Sequence, residues 1–240
     1  DSCVINVVNI SGEFYAYNYY SGDGNYGYMI DVDLGTMDYV LTAEAPADFL
    51  AGDYNGHDGC FYGYTEGGQF WKYDVEAGTA VKLGDPIGTA PVDMAYDYST
   101  GLMYAANVDY NMGYSTISVV NLKTGAQEPV YMGEYQYFIT LACDGDGNLY
   151  TVTAFGDLIK ISMENGQPVD MAFLMEGLGD VQYMQSMCWD HTNNVLLWAY
   201  CEYGTIMWMD PNAAEPYAIM LGDPTDSGLF EFRGHAHHSC

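Results

Sequence analysis

The chain has 240 residues, about half of them apolar, with five Lys and Arg against 33 Asp and Glu and a formal net charge of −28. That length allows one large all-β domain or two small ones. The charge repels nucleic acid and anionic lipid, and no apolar run approaches the ~18 residues that a membrane helix needs. The first residue is Asp1 and no signal-peptide pattern follows, so the expectation is a mature or excised piece of a larger multidomain chain. The chain holds 24 Tyr against nine Phe and four Trp, with 28 Gly. Tyr has an apolar body and a polar tip, which suits strands and exposed contact surfaces. The composition reads as extracellular, which points to a secreted or cell-wall or cell-surface protein.

In chain order, the first predicted unit is "INVVNISGEFYAY", with Asn9 at a turn and Tyr15 after it. Next comes an alternating strand, "YGYMI", and the hexapeptide "DVDLGT" at Asp31. Nearly the same hexapeptide, "DVEAGT", returns at Asp74, and weaker copies follow at Asn121, Ser162 and Asp210. Each copy lies between two short strands, so each predicts a hairpin. A second landmark precedes it in every unit: an Asx residue that opens a turn by bonding its own backbone. The column reads Asn9, Asp53, Asp97, Asp144 and Asp190. Two places earlier stand Val7, Ala51, Ala95, Ala142 and Cys188, apolar and mostly small, as an inner strand crowded at an axis requires.

The spacing therefore predicts five meanders of four strands each. One such sheet cannot bury both faces alone, but radial packing lets each face meet its neighbour. The predicted class is an all-β propeller of five four-stranded blades, at about 3–46, 47–90, 91–136, 137–182 and 183–222. Residues 223–240 form a tail or closing strand. A sixth blade built partly from "LFEFRGHAHHSC" is the less favoured alternative, and return of the tail to blade one is a third. The stretches "LACDGDGNLYTV" and "MAYDYSTGLMYAA" resemble the loose bacterial propeller repeats of the YVTN, NHL and quinoprotein-like type. The likeness covers roughly residues 3–222. It implies the fold, and it implies a secreted or surface binding platform rather than any one chemistry.

Six cysteines allow fifteen pairings. Cys188 and Cys143 read as buried thiols. Cys3 and Cys240 bracket the repeat, and a disulfide between them would clamp the ring; two free thiols are the alternative. The tail also carries His235, His237, His238 and Cys240. These are zinc- or copper-type ligands, but they stand too close together in the chain to close a tetrahedral site. They are weak candidates. "DGDGN" from Asp144 has the look of a calcium loop, yet the other units put an ordinary turn there and the twelve-residue pattern is absent. No cofactor is expected, with calcium kept as the alternative. No phosphate-binding loop or hydrolase motif is present.

In a propeller, the loops between second and third strands share one rim with the links between blades. Here those segments collect Tyr19, Tyr20, Asp23, Tyr26, Asp109, Tyr110, Tyr114, Glu134, Tyr135, Tyr137, Glu202 and Tyr203. Exposed Tyr beside carboxylates suits sugar stacking or a protein with basic residues. The expectation is a non-catalytic adhesion or binding module for an extracellular glycan or protein. The alternatives are a glycoside hydrolase-like enzyme, which needs two carboxylates about 5–9 Å apart in the central pocket, and a spacer domain.

Overall fold

The computed structural model describes residues 10–134, 136–178, 185–201, 204–226 and 230–236. Blade 1 holds β1 (Glu13–Ser21), β2 (Tyr28–Asp33) and β3 (Tyr39–Glu44). Blade 2 holds β4 (Phe49–Asn55), β5 (Cys60–Thr65), β6 (Phe70–Asp74) and β7 (Thr79–Leu83). Blade 3 is β8 (Asp93–Tyr96), β9 (Met103–Asp109), β10 (Tyr114–Val120) and β11 (Gln127–Glu134). Blade 4 is β12 (Ala142–Cys143), β13 (Leu149–Val152), β14 (Leu158–Glu164) and β15 (Gln167–Met175). Blade 5 is β16 (Ser186–Asp190), β17 (Val195–Tyr200), β18 (Thr205–Asp210) and β19 (Tyr217–Gly222), and β20 (Phe230–Ala236) follows. Every sheet has four antiparallel strands, and among the described residues helix is limited to short 3₁₀ turns, at Glu66–Gly68 and Cys201. The molecule is a five-bladed β-propeller.

Blade 1 takes its innermost strand from the far end of the chain. The sheet order is β20-β1-β2-β3, so β20 occupies the place that the sequence assigns to the segment around Val7. Val7 itself, Asn9 and Cys3 lie outside the described residues. The inner strands close a ring in the order β20, β4, β8, β12, β16 and back to β20. Phe232 of β20 is buried against Phe14 of β1, with ring centroids 6.1 Å apart. Packing of this kind joins the two ends of the ring.

The core follows from the period of two. Phe61 packs toward blade 1 with Tyr17 and Phe49. The next residue, Tyr62, packs toward blade 3 with Met94 and Met103. Three further clusters fill the remaining clefts, between blades 3 and 4, 4 and 5, and 5 and 1. Both faces of the inner strands are thus buried, which is why β17 reads "VLLWAY" without polar interruption, while outermost strands such as β3 and β7 are largely exposed. Each large side chain enclosed this way, such as Trp198 or Phe138, stabilises the ring by about 2–3 kcal/mol.

Two registers differ from the sequence reading by two residues. In blade 2 the turn is opened by Asn55, whose carboxamide oxygen accepts the His57 amide at 2.9 Å, while its carbonyl accepts Gly59 N–H at 2.9 Å. Asp53 sits two places inside, level with Ala95, Ala142 and Cys188 counted from their turn residues. In blade 1 the hexapeptide turn is opened by Asp33, which accepts the Gly35 and Thr36 amides, not by Asp31. A two-residue slip keeps every side chain on its own face, so alternation alone cannot detect it.

Candidate functional site

Carboxylates occupy two contrasting places in the ring. At the axis, each inner strand has one edge without a β partner, and its buried amides still need acceptors. Asp93 of β8 supplies them across the ring. Its Oδ2 accepts the amides of Leu141 at 2.7 Å and Met187 at 3.1 Å, and its Oδ1 accepts the Ser186 hydroxyl at 2.8 Å. One fully buried side chain thereby ties blades 3, 4 and 5 together. Burial pushes the Asp93 carboxyl well above its usual range, against the pull of those donors. Asp53 of β4 accepts the Tyr96 amide at 2.7 Å and the Tyr54 amide at 2.8 Å. Its enclosure raises its pKa to about 8. Cys143 and Cys188 are buried free thiols, and burial pushes both up.

The rim bearing the short first-to-second-strand turns is closed in. His57 Nδ1 lies 2.6 Å from the Tyr96 hydroxyl, and the Tyr98 ring meets both His57 and His191 at centroid distances of 5.9 and 4.6 Å. These three turns come from blades 2, 3 and 5.

The opposite rim is open and aromatic. Asp109 ends β9 and shapes the next turn: its Oδ1 accepts the Asn111 and Met112 amides, and its carbonyl accepts Gly113 N–H. Gly113 at φ 76° provides the left-handed step. This turn presents Tyr110 and Met112, which are 60% and 71% exposed. In the next link, Phe138 is buried and its amide donates to Ser115 Oγ at 2.9 Å. Alternation then turns Tyr137 outward, where it stacks on Tyr110 at 5.7 Å and 21°. In the blade 4 loop, Thr153 Oγ1 accepts the Phe155 and Asp157 amides, which leaves Phe155 at the tip, 61% exposed and 5.8 Å from Tyr137. Tyr110, Tyr137 and Phe155 thus form a continuous ledge across blades 3 and 4. Beside it lies a groove of about 840 Å³ that includes Ala90, Val92, Asn107, Asp109, Tyr110 and Tyr114. Burial pushes the Tyr110 phenol up, with Tyr137 adding to the effect.

The sequence-predicted residues divide among several places. Tyr110, Tyr114, Asp109, Tyr137 and Glu134 gather at blade 3, although part of the Asp109 carboxylate is committed to its turn. Tyr20 and Tyr26 stack on each other at 6.3 Å on blade 1. Asp23 beside them is held by its own loop: burial pushes it up, but hydrogen bonds from Ser21, Tyr39 and Asn25 outweigh this and leave it lowered. Tyr19 projects from the opposite sheet face to Tyr20 and lines a separate cleft of about 360 Å³ with Asp48 and Trp71. Tyr135, Glu202, Tyr203, His237, His238 and Cys240 lie outside the described residues, as does the side chain of His235. Among the described residues, no group of three His, Cys, Asp or Glu is placed to hold a metal. Phe155 of the ledge and the exposed Met112 of the neighbouring turn are the residues the sequence reading missed. Phe155 could have been found from its place in the four-residue connection "AFGD", where a side chain has no core to reach.

No protein-family model and no curated protein matches the chain. Solved structures do. A chain from the crystal structure of a nidogen/laminin complex aligns with a TM-score of 0.60 at 12% identity, over 94% of this chain and 97% of that one. A Lactobacillus plantarum protein aligns at TM-score 0.48 and 14% identity, over 96% and 68% of the two chains. The major Malassezia sympodialis allergen Mala s 1 aligns at 0.44 and 16%, over 70% and 61%. At these identities the first likeness shows the fold alone: this chain is a β-propeller, an architecture compatible with a binding or protein-interaction module.

Proposed function

We propose that the chain is a non-catalytic binding module of a secreted or cell-surface bacterial protein, recognising a glycan or protein partner through its aromatic loop rim. The carrying observation is the solvent-facing ledge of Tyr110, Tyr137 and Phe155 beside its groove. Tyr110 and Phe155 are held mostly in water by well-formed turns, with the half-buried Tyr137 between them, and rigid aromatics are what recognition surfaces use. The axial acids support a platform over a hydrolase, because Asp93 and Asp53 both hold backbone amides of the inner strands. The composition, rich in Tyr and Gly and poor in Lys, supports the extracellular setting.

A glycan and protein array probed with the wild-type chain and with Tyr110→Ala, Tyr137→Ala and Phe155→Ala tests this reading. Capture by the wild type that is lost in the variants is expected. Capture that survives all three substitutions moves the site elsewhere. Release of shortened glycan by the wild type overturns the non-catalytic assignment.

A further inference from the structure

The ten connections on the aromatic rim are residues 22–27, 45–48, 66–69, 84–92, 110–113, 135–141, 153–157, 176–185, 201–204 and 223–229. Their described residues contain eight Asp and Glu and no Lys, Arg or His. None of the four lysines lines the groove beside the ledge. Lys72 pairs with Asp58 at 2.8 Å and Lys160 with Asp144 at 3.8 Å, while Lys82 lies over the Trp71 ring and lines the separate cleft of blade 2 with Asp48, Glu66 and Gln69. Lys123 is in the hairpin between β10 and β11, on the opposite rim.

The strand register then builds a specific arrangement at the groove. Tyr114 is paired directly with Asp109 on one side and with Glu134 on the other. Directly paired residues of antiparallel strands project from the same face. Tyr114 and Asp109 line the groove, with Tyr110 following Asp109 in the chain, and Glu134, on the other side of Tyr114, shares their face. The Glu134 carboxylate is exposed and has no protein partner among the described residues. The ring face attracts a cation through its quadrupole, and the flanking acids add direct charge.

We propose that this groove docks an extended, Lys- or Arg-bearing segment of a partner protein, its cationic side chains lying against Tyr114 and Tyr110 between Asp109 and Glu134. This rests on the reading of the chain as a binding module and narrows it to one class of partner. A neutral glycan would use the rings but leave the acid–ring–acid row, and a groove lined without cations, without a role.

The test uses the whole chain and four probes: a labelled Arg-Gly repeat peptide, its Lys-Gly and acetyl-Lys-Gly counterparts, and an array of neutral glycans. The Arg and Lys peptides are expected to bind, and the acetylated one to bind at least about tenfold more weakly. Tyr114→Ala and the Asp109→Asn/Glu134→Gln pair should each weaken the Arg peptide about tenfold. Tyr114→Phe, which keeps the ring, should not. The Glu76→Gln/Glu215→Gln pair, with the same charge change on the opposite rim, should leave binding in place. Equal weakening by the two charge-changed pairs would mean general attraction to an acidic protein and overturns the proposal, as does binding indifferent to Tyr114→Ala. Absence of binding by both cationic peptides also overturns it. If a neutral glycan binds instead and is lost in Tyr137→Ala, this proposal fails while the binding-module reading stands. Thermal unfolding of each variant separates a lost site from a lost fold.

Discussion

The axis and the aromatic rim of this propeller are both built with carboxylates, yet the same group does opposite work in the two places. At the axis, Asp93 is enclosed and each of its oxygens holds donors from other blades. At the rim, Glu134 is exposed beside Tyr114. A buried carboxylate is tolerable only where donors meet it, so its position is fixed by the fold and its removal strands those donors. An exposed carboxylate costs nothing to place, so its value lies in what approaches from solvent. The contrast separates acids that hold the ring together from acids that face a partner, although sequence composition counts them alike.

The largest effect that could break this comparison is at Asp93. Asp93→Ala leaves the Leu141 and Met187 amides and the Ser186 hydroxyl without their acceptor, and unfolding in urea should show a loss of at least about 3 kcal/mol. Asp93→Asn keeps one acceptor oxygen in place and should lose less. An unchanged midpoint for the alanine variant would mean that the inner edges do not depend on this side chain.

Asp53 offers a test in pH. Its carboxyl is raised from an ordinary 3.8 to about 8, so the folded chain holds a proton there that the unfolded chain has released. The sign follows from linkage: its contribution favours the fold at low pH and is lost as pH rises from about 4 toward 8. Stability measured across that window should therefore fall less steeply in Asp53→Asn than in the wild type. Parallel profiles would remove Asp53 from the axis side of the comparison.

How far the axis and rim can be read without coordinates depends on the length scale involved. The five meanders are legible because their determinants are local: alternation within each strand, and turn residues such as Asp97, Asp144 and Asp190 that bond their own backbone. The register is less so. Asp53 and Asn55 project to the same face, as do Asp31 and Asp33, and only the hydrogen bonds of the turn tell them apart. Ring closure by β20 joins residues more than two hundred positions apart, where no local signal reaches. The same holds for Asp93, whose partners come from two other blades. At the rim, Tyr110 and Tyr137 are legible as loop aromatics, but their stacking depends on two loops from adjoining connections. Tyr19 shows the opposite failure: one residue from Tyr20, it is sent to the other face by the pleat, away from the Tyr26 stack.

Smaller changes in stability are expected on the rim, where the ledge should be separable from the fold. Tyr110→Ala combined with Phe155→Ala removes two rings that are mostly in water, so the unfolding free energy measured in urea should fall by no more than about 0.5 kcal/mol. Capture of partner should nonetheless fall about tenfold, since exposed aromatics concentrate binding energy. A large loss of stability would place these rings with the core and dissolve the distinction between the two regions.

The smallest effect belongs to Glu134→Gln. The substitution keeps the side chain's shape and removes one charge from an exposed position paired with Tyr114 across the strands. Stability should stay within about 0.5 kcal/mol of wild type, because a solvated carboxylate without a partner has little to lose. The Arg-Gly peptide should associate a few-fold more slowly and with a shallower dependence on salt, as rim charges act mainly on encounter. Because Asp93 and Glu134 are both acids on blade 3, the pair of variants isolates environment as the variable. Substituting the enclosed one should change unfolding, and substituting the open one should change only the rate at which a cation arrives.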